Sequence, residues 1–178
     1  MKEDIVFNLQ LLKSELLLCS FIMLILFPVL VCNSDMIIEC VWGCIFTFIL
    51  IITAVMDYKY LLLFNKLTYT LFLLGIIKNG IDGFIGGVIF AGIMLCIKGI
   101  KPEGMGWGDV KFAMGIGSWI YDEEMLLVMA ISFTLGAVFS LLLMIVKWDF
   151  NLKQCIPFGP FLSVAGFMVY ILGDRLWV

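Results

Sequence analysis

Apolar residues fill the chain in long blocks, and polar residues gather in short clusters between them. Stretches without a formal charge run over Leu16–Cys32, Cys40–Met56, Gly83–Ile97, Met125–Val146 and Ile156–Gly173. Two shorter apolar runs, Leu67–Ile77 and Phe112–Tyr121, lie between them. Crossing a bilayer takes about 20 mostly apolar residues, so each long run with its flanks predicts a span. Backbone groups in lipid must pair within their own segment, which makes the spans helices. The regular alternation that barrel strands require is absent. The expected fold is therefore an all-α integral membrane bundle, a single membrane-embedded unit over residues 1–178. It has about seven transmembrane helices, or six if one short run is re-entrant.

The polar clusters predict the connections: Asn33-Ser34-Asp35, Tyr58–Lys66, Lys78-Asn79-Gly80, Lys98–Gly108, Asp122-Glu123-Glu124 and Lys147–Cys155. Met1–Ser14 reads as a mildly amphipathic approach to a first span beginning near Glu15, with Pro28 a potential kink. Val31 before Cys32, and the lack of an A-x-A-like site, mark this first run as a retained span rather than a signal peptide. Gly83 and Gly87 form a G-x-x-x-G pair, which lets helices approach closely in lipid. Lysines cluster in alternate connections: Lys59 with Lys66, Lys98 with Lys101, Lys147 with Lys153. Lysine and arginine favour the cytoplasmic side. The pattern thus predicts an inside N-terminus and an outside C-terminus, with Lys78 a mild exception. Asp57 and Asp109 then both fall at the cytoplasmic membrane face.

Composition agrees. Hydrophobic residues make up 63% of the 178, where soluble domains carry roughly 45–50%. The net charge of −3 sits almost wholly in the connections, and no basic tract suits nucleic acid. Histidine is absent, which excludes histidine-based serine and cysteine triads and most catalytic zinc sites. No metal or cofactor is expected. The six cysteines fall mostly within or at the ends of apolar runs and read as small packing residues.

Two acids carry the candidate chemistry. Asp57 closes a long apolar run; Asp109 follows Gly104, Gly106 and Gly108. Each has a plain explanation alone. Asp57 can reach the headgroups, and Asp109 can cap a helix, where its charge suits the dipole. Together they suggest a pair, because acids within spans are costly and tend to be functional. The glycines would let backbone approach Asp109 closely, enough for a substrate strand to lie beside it. Two close carboxylates share one proton, and such a pair activates water and protonates a carbonyl. Lys111 has two readings: contact with the pair or substrate, or a positive-inside anchor. Pro157-Phe158-Gly159-Pro160 either lines the site or starts a helix, where proline is tolerated.

At these residues the chain resembles the type IV prepilin peptidases, membrane aspartic peptidases with a G-x-G-D motif. Gly104-Met105-Gly106-Trp107-Gly108-Asp109-Val110-Lys111 fits the second-aspartate block. Asp57 with Asn65-Lys66-Leu67-Thr68 fits the first, and Ile156-Pro157-Phe158-Gly159-Pro160-Phe161-Leu162 fits a block opening a late span. The resemblance covers roughly residues 36–173. It implies that Asp57 and Asp109 are catalytic and that Gly106 and Gly108 shape the loop. It implies removal of a short basic leader from prepilins or pseudopilins, just before their hydrophobic N-terminal helix, in the inner or plasma membrane. The partners would be that substrate and the lipid bilayer. Phe64 stands where the family often has proline. Larger relatives carry two C-x-x-C pairs and also methylate the new N-terminus. This chain has no C-x-x-C, so cleavage without N-methylation is expected. The competing readings are a membrane aspartic protease with other substrates, and a small proton-coupled transporter or channel subunit.

Overall fold

The computed structural model describes residues 9–33, 36–100, 104–147 and 157–176. Among them are six helices: α1 (Leu9–Asn33), α2 (Ile37–Tyr60), α3 (Asn65–Ile100), α4 (Trp107–Gly117), α5 (Glu124–Lys147) and α6 (Gly159–Leu176). By length and composition Ile37–Tyr60, Asn65–Ile100 and Glu124–Ile145 are each sufficient to cross a membrane, and Leu17–Val31 and Gly159–Leu172 are shorter apolar helices. Outward faces are apolar: Leu24 on α1, Ile89 on α3 and Leu141, Leu142 and Ile145 on α5 are exposed. A water-soluble monomer rarely exposes such contiguous surface; lipid is its natural solvent.

Helix ends depart from the apolar pattern. α1 begins well before Glu15, and α2 continues past Met56 through Asp57 to Tyr60. Leu61 then ends α2 in the left-handed region (φ 51°), its N–H donating to the Asp57 carbonyl at 2.8 Å. The expected loop Tyr58–Lys66 shrinks to residues 61–64. Phe64 replaces the family's proline without loss of the turn: its carbonyl accepts the Leu67 and Thr68 N–H groups. The connections 34–35, 101–103 and 148–156 lie outside the described residues, as do Met1–Asn8.

α3 contains the largest departure. Gly80 (φ 63°, ψ −133°) breaks it, in a conformation open to glycine and strained for other residues. The arms 65–79 and 81–100, about 22 Å and about 30 Å long at 1.5 Å per residue, fold back on each other. The Phe72 and Phe84 rings stand 6.1 Å apart, and the Gly75 carbonyl lies beside Gly83. The predicted runs on either side of Lys78–Gly80 are thus joined through one residue.

α4 packs against both arms. Leu71 meets Gly115 from the first arm; Gly86 and Phe90 meet Gly117 from the second. The expected close packing at Gly83 and Gly87 is present, and both turn toward α4: a Cβ would stand 2.8 Å from the Ser118 and Met114 carbonyl oxygens respectively. At Gly86 it would stand 2.5 Å from the Gly117 oxygen and 2.7 Å from Tyr121 Cβ. Backbone cannot give way as a side chain can. Gly86→Val is expected to cost about 1–3 kcal/mol through overpacking, read as a lower unfolding temperature in detergent. A variant as stable as wild type would mean the crossing is loose.

α2 packs against α1 and α6, and α5 packs against α6. Buried Phe46, Leu50, Phe112, Ile116, Val128, Leu162 and Val169 join α2, α5 and α6 to the α3–α4 unit in one core. The described cysteines are free thiols; Cys19 is buried and Cys40 and Cys44 half-buried.

Candidate active site

One end of the bundle gathers the end of α2, both ends of α3, and the beginnings of α4 and α6. Asp57 lies in the last turns of α2 and is only 5% exposed. Its Oδ2 accepts the Gly159 N–H at 2.8 Å. The first N–H groups of a helix lack intrahelical partners, and a helix beginning favours a negative charge. Pro160 follows without loss, because its missing N–H falls in that same first turn. A Cβ at Gly159 would stand 2.7 Å from Asp57 Oδ2 and 3.0 Å from its Cβ and Cγ. The block at 157–160 therefore does both things the sequence left open: it starts a helix and offers backbone to the acid.

Asp109 is also buried, at 9% exposed. It is not the cap of α4. Gly106 holds that position in extended conformation, and Asp109 is the third helical residue. Glycine has no side chain to bond back, so only the reciprocal contact forms: the Gly106 N–H donates to Asp109 Oδ2 at 3.0 Å. Gly108 brings chain close to chain, since a Cβ there would lie 2.8 Å from Leu63 Cβ. What nears the glycine is the connection leading on from Asp57. The start of α4, which carries Asp109, therefore packs on the connection that follows Asp57.

Lysines hold the frame. Lys98 Nζ donates to the Met105 carbonyl at 2.6 Å and stands 4.5 Å from the Trp107 ring centroid. Lys111 Nζ donates to Asn65 Oδ1 at 2.7 Å and lies 5.8 Å from the Tyr69 ring centroid. The first sequence block therefore touches both of the others: Asp57 accepts from Gly159, and Asn65 accepts from Lys111. Sequence reasoning missed Gly159 as a partner of Asp57, and missed the roles of Asn65 and Lys98. A Gly-Pro pair opening a helix and an asparagine at the head of an apolar run were the available signals. Among the described residues, no three His, Cys, Asp or Glu side chains converge as a metal site would require.

The model of the type IV leader peptidase family matches residues 44–141. That range takes in the first two blocks and stops before the third. The prepilin leader peptidase/N-methyltransferase of Aeromonas salmonicida is 26% identical over 151 residues, covering 76% of this chain and 52% of its own length. Its counterpart in Pseudomonas aeruginosa is 27% identical over 149 residues, covering 76% and 48%. The leader peptidase HopD of Escherichia coli is 46% identical over 69 residues, covering 38% and 43%. The chain spans about half the length of the curated relatives it matches. No solved structure matches.

Proposed function

Since the chain belongs to the type IV leader peptidase family, we propose that it is an aspartic endopeptidase that removes the leader from type IV prepilins or pseudopilins. One observation carries the reading: two buried carboxylates, from the end of one helix and the beginning of another, flank the close contact between Leu63 and Gly108. Each commits one oxygen to a glycine N–H. That fixes their orientation without a side chain that could compete for protons.

The pair holds one proton between its members. The ionised member takes a proton from water, and the oxygen so activated attacks the scissile carbonyl carbon. The protonated member gives its proton to the carbonyl oxygen. The tetrahedral intermediate collapses as the leaving nitrogen is protonated. The pair titrates as a unit, so acid and base are roles of the pair. Gly106 and Gly108 shape the approach to Asp109. Lys111, tied to Asn65, keeps α4 in register with the start of α3.

The finer picture is a multi-pass protein of the inner or plasma membrane, with the arms of α3 counted separately to make seven spans. The alternation of lysines puts the site at the cytoplasmic face. There it would meet a substrate with a basic leader and a hydrophobic N-terminal helix. Without a C-x-x-C pair in the chain, cleavage proceeds without N-methylation. The test is to incubate membranes carrying the full chain with a prepilin and weigh the product. The expected mass is that of the mature pilin lacking both leader and methyl group. A product with the mass of one added methyl group would overturn the last statement; retention of the leader on every prepilin and pseudopilin tried would overturn the first.

A further inference from the structure

The end of the bundle opposite the carboxylates holds a second polar cluster. Lys78, at the tip of the folded α3, lies 3.3 Å from Glu39 Oε2 on α2 and donates to the Tyr170 hydroxyl on α6 at 3.3 Å. Its ammonium stands 5.0 Å from the Tyr170 ring centroid and 5.9 Å from that of Trp119. Trp119, just after α4, stacks on Phe46 at 4.9 Å, and its Nε1 donates to the Leu71 carbonyl at 2.8 Å. Asn79 Nδ2 donates to the Ser118 and Trp119 carbonyls at 2.9 and 3.3 Å.

These contacts join two groups of helices. Asp57 and its partner Gly159 belong to α2 and α6. Asp109, Lys98 and the Asn65–Lys111 bond belong to α3 and α4. The 61–64 connection links the groups at the site end, and the Lys78 cluster links them at the other. From Trp119 back to Asp109 is about 15 Å along the chain at 1.5 Å per residue, so a shift at the cluster is passed along α4 to the carboxylate. An ammonium only 17% exposed among apolar helices is expensive; cation–π and ion-pair contacts on three elements offset that cost.

We infer that Lys78, through this cluster, is a positioning residue that sets the separation of Asp57 and Asp109. The inference rests on the carboxylate pair proposed above. Its test uses the full chain with the six native cysteines replaced, carrying Asp57→Cys and Asp109→Cys. Copper-catalysed oxidation of the two introduced thiols reads their approach with no substrate present. Adding Lys78→Met is expected to slow cross-linking about tenfold, and Lys78→Arg, which keeps the cation, to restore most of the rate. With both aspartates intact, Lys78→Met is expected to lower kcat by about tenfold with KM unchanged, because a small misplacement of reacting groups suffices for such a loss. If Lys78→Met does not accumulate, Glu39→Gln takes its place, since the Glu39 side chain is half exposed. Cross-linking at the Lys78 rate in these variants would overturn the inference. A chain that cross-links as expected yet cuts no prepilin would overturn the peptidase reading alone.

Discussion

Asp57→Asn and Asp109→Asn, each made singly, are expected to lower leader removal by at least about a thousandfold, from the size of acid–base contributions and the loss of water activation. Asparagine keeps the shape and still accepts the glycine N–H at either position. It cannot give or take the shared proton. The double variant is expected to fall no further than either single one, because residues acting as a unit are not additive. The measurement is the initial rate of leader removal in membranes carrying equal amounts of each protein. Residual cutting within tenfold of wild type in either variant would sink the pair. A proton-conducting role for the same acids would leave cutting absent even in wild type, which the same blot reads.

Gly159→Ala is expected to cost about a hundredfold in kcat while the protein still inserts and accumulates. Its new Cβ would stand 2.7 Å from Asp57 Oδ2, closer than real Cβ atoms come, and 3.0 Å from two of that residue's carbons. Either α6 retreats or Asp57 turns away, and both stretch the 2.8 Å bond from the Gly159 N–H. Displacement of a reacting group by about 1 Å costs on the order of a hundredfold. The neighbouring change Phe161→Leu adds no atom near Asp57 and serves as the control for α6 packing. Equal activity in Gly159→Ala and wild type would show that the bond to Asp57 does not orient it for reaction.

The helices were legible because lipid makes the apolar run and the helix nearly the same object. Their ends were not, because hydropathy reports depth rather than hydrogen bonding. α2 runs on through Asp57, Tyr58 and Lys59: Tyr58 and Lys59 reach outward and Asp57 turns inward to Gly159 while the backbone remains helical. Gly80 reads as a stop, yet nothing local says that one residue suffices to fold α3 back on itself. At α4 the preference of caps for aspartate pointed to Asp109, and Gly106 took the position instead. The two acids were visible through their setting and the motif blocks. Their holders were not, since the bonds Gly159–Asp57 and Lys111–Asn65 cross 102 and 46 residues of chain. Lys78 looked like an irregularity in charge topology; Glu39 and Tyr170 give it a reason to be there.

Both carboxylates are gripped by main-chain groups of residues that have no side chain. A survey that trims side chains one by one would find the two acids and pass over what holds them, since there is nothing at Gly106 or Gly159 to trim. Only survey by enlargement reveals these positions. The N–H donors survive every substitution except proline; what Asp57 needs beside Gly159 is empty space.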